Sequence, residues 1–369
     1  MGEKIPLVDL KANYLSIKNE IDWAISEVIE SSSFIKGSQL GVFEKNFASY
    51  CKARYCVGTS SGTSALYLAL TASGIKPGDE VITVPETFIA TAGAISATHA
   101  RVKFVDVDDY HLMNADNLRS VITSKTRAIV PVHLHGQIVD MDPLFEIAEE
   151  KSLVVIEDAA QAHGADSRGK RSPIGDVATY SFFPAKNLGA FGDAGAVVTN
   201  NEEVAEKVQK LADHGRITKY DHDILGFNHR LDTLHAAILN VKLRHLDEWV
   251  EKRRKNAFRY GKLLNENDKL TLPKENGYGE HAYHLYVVRS RERDKLRAYL
   301  EKEGIQTGIH YPIPLHLQKA YLHLGYEEGS FPVAEQHAKE ILSLPMYPEL
   351  SEEQINYACD KIKEFYTIG

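Results

Sequence analysis

The chain has 369 residues, 43% of them hydrophobic and 25% charged, which is enough material for a large core and two domains of ordinary globular composition. Its formal charge of −8 comes from interspersed signs, so neither nucleic acid nor an anionic membrane is an expected partner. Three cysteines with no CxxC pair, no signal-peptide core in MGEKIPLVDL and no bilayer-length apolar run point to reduced thiols in a cytoplasmic protein.

Leu15–Glu30 has the apolar spacing of an amphipathic helix, and Leu40–Cys51 is expected to be a second. From residue 55 the rhythm changes. Tyr55–Val57 reads as a strand, Gly58–Thr63 as a turn and Ser64–Thr71 as a helix. Strand Val81–Val84 and helix Ile89–Thr98 follow, then strand Val102–Val107 and helix Asn114–Val121. Strand Ala128–Val132, helix Asp142–Lys151 and strand Leu153–Ile156 complete the alternation. Strands and helices alternating at this length predict a parallel sheet with functional groups at the strands' C-terminal ends. Tyr180–Phe183 and Ala196–Thr199 are two further buried strands. Beyond them come helix Glu202–Leu211, a long helix over Thr233–Asn256 and a loop near Pro273–Gly279. The chain ends in strand His284–Val288, helix Arg293–Glu303, an irregular Gly304–Pro314 and helix Ser351–Tyr366. The expected division is a large domain of residues 1–250 and a smaller α+β domain of residues 251–369.

Three features carry chemistry. Lys186 lies on the glycine-dotted connection between two buried strands, where desolvation would free a neutral amine able to attack a carbonyl; a solvated loop lysine is the alternative. Thr59–Thr63, between a strand and a helix, is either an anion site built on helix N–H groups or a plain capped turn. It matches neither GxxxxGK[ST] nor GxGxxG. Asp158 follows a hydrophobic strand, where it would hold a protonated ring nitrogen or cap a helix. His133 and His135 could share one strand face, but no third metal ligand is near in sequence, so no metal is expected. A phosphate site, a strand-end aspartate and a buried lysine, in that order, are together what pyridoxal phosphate requires.

The segments SSGTSALYLAL, DEVITVPETFIATAGAI, VIEDAAQAHGA, SFFPAKNLGAFGDAGAVVT, GFNHRLDTLHAAIL and GIHYPIPLH resemble, in order and over nearly the whole chain, the DegT/StrS-type nucleotide-sugar aminotransferases of the aspartate aminotransferase superfamily. The resemblance implies a fold-type I α/β architecture, with a mostly parallel sheet between helices and a smaller C-terminal domain. It also implies a homodimer with shared active sites. By similarity Lys186 anchors the cofactor and shuttles the proton, Asp158 pairs with the pyridine nitrogen and Gln161 contacts the ring hydroxyl. Phe88 would stack on the ring. Gly62, Thr63 and Ser181 would bind the phosphate, joined by Asn228 from the partner subunit. Arg230 and His310 resemble ligands of the amino donor, L-glutamate, while Tyr311, His316 and Lys219 lie in segments that resemble substrate-facing loops. His135 stands where relatives often carry an aromatic residue. Relatives acting on 4-keto sugars often read KNxTTGEGG after the lysine. KNLGAFGDAGA instead resembles those acting on 3-keto sugars, which implies a 3-keto substrate such as a dTDP-3-keto-6-deoxyhexose. This loop, with the small Leu188-Gly189-Ala190 and with Asp193 one methylene shorter than glutamate, is expected to border the hexose ring. The alternatives are a 4-keto aminotransferase and a pyridoxal-phosphate-binding regulator.

Overall fold

The computed structural model describes residues 4–368. Its centre is a seven-stranded sheet made of β1 (Tyr55–Thr59), β2 (Glu80–Thr83), β3 (Arg101–Phe104), β4 (Thr126–Ile129), β5 (Val154–Asp158), β6 (Val177–Ser181) and β7 (Gly195–Thr199), in the order β1-β7-β6-β5-β4-β2-β3. Neighbours run parallel except β7, which is antiparallel to both β1 and β6. The expectation of parallel pairing fails there for a simple reason. Nothing helical lies between β6 and β7, and a parallel return needs a crossover of a dozen or more residues, usually a helix.

β6 packs on an aromatic cluster. The Phe47 ring meets Tyr180 and Phe182 edge-on at 5.0 and 5.1 Å, and Phe43 meets Phe182 at 5.3 Å. All four rings are buried, and each contributes about 1.5–3 kcal/mol of burial energy, a stiff base beneath the connection that carries Lys186. β5 and β6 end at Asp158 and Ser181, and β7 begins at Gly195, which pairs with Ser181. The strand-end edge therefore gathers the residues that the sequence singles out.

A second core forms around β8 (Tyr286–Arg289) and β9 (Ile341–Leu344), an antiparallel pair. The boundary expected at 250/251 falls inside helix Leu246–Leu264, whose Leu246 and Val250 belong to the first core and whose Ala257 and Tyr260 belong to the second. Residues Leu315, Tyr321, Phe331 and Ala334 return to the first core, and Ile5 joins the second. Two expected helices are each broken in two. Leu15–Glu30 is replaced by Leu10–Ser16 and Lys18–Ser31, with the break at Ile17, and Thr233–Asn256 divides into Thr233–Leu243 and Leu246–Leu264. Helix Pro332–Glu340 and β9 were not expected, although Pro332 sits in the first helical turn that proline favours. Among the described residues no helix is long and apolar enough to cross a membrane.

Candidate active site

Helix Gly62–Ala72 begins at the strand-end edge. Ser61 caps it in a reciprocal pair with Ser64, so the first turn is fixed before any ligand arrives. A Cβ on Gly62 would stand 2.6 Å from the Ser181 Cβ, so only glycine lets this helix terminus sit on the end of β6. Gly62, Thr63 and Ser181 thus meet in the lining of a cavity of about 360 Å³. N–H groups at a helix start suit an anion there.

Asp158 lines the same cavity and is 4% exposed; its Oδ2 accepts from Thr91 Oγ1 at 2.8 Å and its Oδ1 from Ala160 N at 3.2 Å. Burial pushes its carboxyl up, while these donors and the Lys186 charge pull it back. Lys186 is half-buried, and its ammonium has no hydrogen-bond or ion-pair partner among the described residues. Burial lowers it to about 8, against the opposing pull of Asp158. Gln161 Oε1 accepts from His135 N at 2.7 Å, and its Nε2 donates to the Tyr311 hydroxyl at 3.3 Å. The Phe88 and Tyr311 rings stand 5.6 Å apart in the wall. His310 also lines it; Ser343 Oγ is 2.8 Å from its Nδ1, and burial, then Lys186, holds the imidazole down at about 4, hence neutral.

A helix-start anion cradle, a buried carboxylate and an unpaired amine lining one cavity fit pyridoxal phosphate: the cradle suits the phosphate, Asp158 the ring nitrogen and Lys186 the aldehyde.

Other expected residues lie elsewhere. Lys219, Asn228 and Arg230 do not line this cavity. Arg230 donates to Asp213 Oδ1 at 2.7 Å and to Asn228 Oδ1 at 2.8 Å, and Lys219 is exposed. His316 is fully buried, bonded to Glu335 at 3.0 Å and packed on Phe331, so it presents nothing to a ligand here. His133 and His135 do not share a strand face, because the chain turns at Leu134–Gly136. His133 Nδ1 accepts from Val139 N, which leaves Nε2–H to donate to Glu157 at 3.0 Å. His135 is buried behind the wall, with Nε2 facing the His310 carbonyl at 3.3 Å.

Sequence reasoning missed His284, which lines the cavity together with the expected Asp193, and a buried trio beside it. Glu86, two residues before Phe88, accepts from His111 Nδ1 at 2.6 Å and His337 Nδ1 at 2.8 Å. This is the one group among the described residues with metal-ligand character. Its members are too far apart in sequence for spacing to reveal them.

The fold and the site together define an α/β enzyme of the pyridoxal-phosphate transferase class. The chain belongs to the DegT/DnrJ/EryC1/StrS aminotransferase family, whose model matches residues 15–363. It is 48% identical over 367 residues to a pleiotropic regulatory protein of Geobacillus stearothermophilus, covering 98% of both chains. It is 43% identical over 364 residues to the dTDP-3-amino-3,4,6-trideoxy-alpha-D-glucose transaminase of Streptomyces venezuelae, covering 98% of this chain and 96% of the relative. Among solved structures, S. venezuelae DesV in complex with a ketimine intermediate superposes with a TM-score of 0.97 at 43% identity, over 99% of each chain. NtdA of Bacillus subtilis with bound PMP gives a TM-score of 0.91 at 32% identity, over 100% of this chain and 86% of that one. The protein is a pyridoxal-phosphate-dependent sugar aminotransferase.

Proposed function

We propose that the protein moves an amino group from L-glutamate to carbon three of a nucleotide-linked 3-keto-6-deoxyhexose, and that the dimer is its smallest active unit. The convergence of Lys186, Asp158 and the Gly62–Thr63 helix start on one cavity carries the catalytic reading. When bound, the cofactor supplies the electron sink. The chain's own residues do the rest. Gly62 and Thr63 N–H groups and Ser181 hold the phosphate, Phe88 covers the ring and Gln161 meets its hydroxyl. Asp158 keeps the proton on the ring nitrogen. Lys186, neutral above about 8, would anchor the cofactor and carry the proton that moves during amino transfer. His310 and Tyr311, which line the same cavity, would face the substrate.

Asn228, Arg230 and Lys219 act in the neighbouring subunit's site in this reading. Two observations support a second copy. Their side chains lie outside the cavity of their own chain. The segment that bears them also exposes Leu225 at 91% and Tyr220 at 83%, apolar surface that a partner would cover. There Arg230 would take a glutamate carboxylate in its planar fork. The 3-keto reading draws support from KNLGAFGDAGA and from the named product of the Streptomyces relative. The free, buried state of Cys51, Cys56 and Cys359 supports a reducing, cytoplasmic setting.

The experiment supplies glutamate and a 3-keto nucleotide sugar, generated in place by a ketoisomerase, and locates the nitrogen by NMR. A 3-amino sugar with 2-oxoglutarate is the expected result; nitrogen on carbon four identifies a 4-keto enzyme. Glutamate alone should convert the bound cofactor to its amine form, a spectroscopic change visible without any sugar, which tests the amino donor separately from the sugar.

A further inference from the structure

A second, smaller cavity shares Ala185 and Lys186 with the cofactor cavity and is otherwise walled by different residues, among them Lys242, Arg253 and Glu349. Its volume of about 20 Å³ admits a single water. Lys242 is 4% exposed, and its Nζ donates to the Gly189 carbonyl at 2.7 Å. The ammonium otherwise faces the Phe191 and Trp249 rings at 5.4 and 5.8 Å. Burial lowers it to about 8, opposed by Glu349. Arg253 gives one guanidinium nitrogen to three backbone carbonyls, but its Nε has no partner. Glu349 Oε1 accepts from Asn13 at 3.0 Å, while its Oε2 is sealed from solvent without a donor.

Two buried cations beside a half-buried carboxylate are costly, and an apolar side chain of Lys242's size would fill the space without the desolvation penalty. What the ammonium does is local. Its one direct hydrogen bond among the described residues goes to Gly189, three residues after Lys186, and Phe191 under it belongs to the same loop. A Cβ at 189 would stand 2.3 Å from the Pro184 carbonyl, so the loop is folded back on itself there and Lys242 ties it from outside. The loop's far end, Asp193, lines the cofactor cavity.

We propose that Lys242 is a positioning residue for transamination. It holds the 186–193 loop through the Gly189 carbonyl, and an ordered water in the adjoining chamber completes its shell. That water accepts from Lys242 Nζ and Arg253 Nε and donates to Glu349 Oε2, which gives it three bonds and satisfies both orphaned atoms. The role rests on the reading of Lys186 as the cofactor's anchor.

Two measurements test it. A high-resolution crystal structure of the cofactor-loaded wild type should show a water within hydrogen-bond distance of Arg253 Nε and Glu349 Oε2. Lys242→Met should keep the fold and the cofactor absorbance, yet lose about tenfold or more in kcat with the keto sugar. Its visible circular dichroism, which reports the orientation of the bound cofactor, should change, and the KM for glutamate should move little. Lys242→Gln is the second variant, with the same readouts. An empty chamber, or wild-type kcat and dichroism in either folded variant, overturns the proposal. Loss of the absorbance band in Lys186→Ala tests the anchor separately, so the two failures are distinguishable.

Discussion

Asp158 and Lys186 oppose one another's burial across a single cavity: burial pushes the carboxyl up and the ammonium down to about 8, and each charge pulls the other back. The consequence is an amine freed well below the usual lysine range beside an acid that stays able to hold a proton on a ring nitrogen. Capture of pyridoxal phosphate by the apo-protein should therefore accelerate with rising pH through a midpoint near 8. Stopped-flow absorbance across a pH series measures it. A midpoint at the 10.5 of an ordinary lysine would mean that Lys186 is not desolvated.

Glu86 links two walls of the site. It stands beside Thr87 and Phe88, and its partner His337 lies in the helix that runs into β9, where Ser343 bonds to His310. The His111 and His337 partners hold its carboxyl well below the usual range against the cost of burial, which is the larger single effect. A depressed acid stabilises the fold above its unfolded value of 4.5, and that stability is lost as pH falls through the lower folded value. Glu86→Gln should cost about 3 kcal/mol at neutral pH, because two buried imidazoles lose their anion. The difference from wild type should shrink as pH drops below 4.5. Denaturant melts at several pH values decide; a gap that widens in acid contradicts the clamp.

Arg230 has a structural partner in Asp213, and Lys36 and Arg216 also reach that carboxylate. With two cations left on Asp213, Arg230→Ala should fold. Its KM for glutamate should rise about tenfold or more, the worth of one charge-assisted contact. Mixed Lys186→Ala and Asn228→Ala subunits should regain part of the lost activity, since one hybrid site is intact if Asn228 acts in trans. No recovery after verified subunit exchange rules out the shared site.

Much of this was legible in the chain itself because each piece was local. Apolar runs with turn residues between them located the strands, and the helix start at Ser61 is written in Ser-Ser-Gly-Thr-Ser. Lys186 and Asp158 stood out because charge beside a buried strand is costly. What escaped notice was tertiary. The antiparallel β7 follows from a connection whose shape no period reveals. Lys242, Glu86 and His337 acquire meaning only from partners tens to hundreds of residues away. His316, read as substrate-facing from its neighbours in sequence, is buried in the core with its Nε2 bonded to Glu335.

The loop after Lys186 was expected to border the hexose through Leu188, Gly189 and Ala190 as well as Asp193. Leu188 and Ala190 are fully buried, and of residues 188–193 only Asp193 lines the cavity. Selectivity for the keto carbon should therefore sit in Asp193, with the others supporting it. Asp193→Glu extends the carboxylate by one methylene into the space where the sugar turns its ketone. A shift of that size is enough to alter which ring carbon reaches the roughly 3–3.5 Å needed for attack. The ratio of 3-keto to 4-keto turnover should fall about tenfold in Asp193→Glu. Leu188→Ala should instead lose about 2–4 kcal/mol of stability, as a truncated core leucine does, with the ratio unchanged in the protein that remains folded. A competition assay with both keto isomers, read by mass spectrometry and NMR, separates the two effects. If Leu188→Ala shifts the ratio and Asp193→Glu leaves it alone, the selectivity lies in the buried part of the loop and not in the wall.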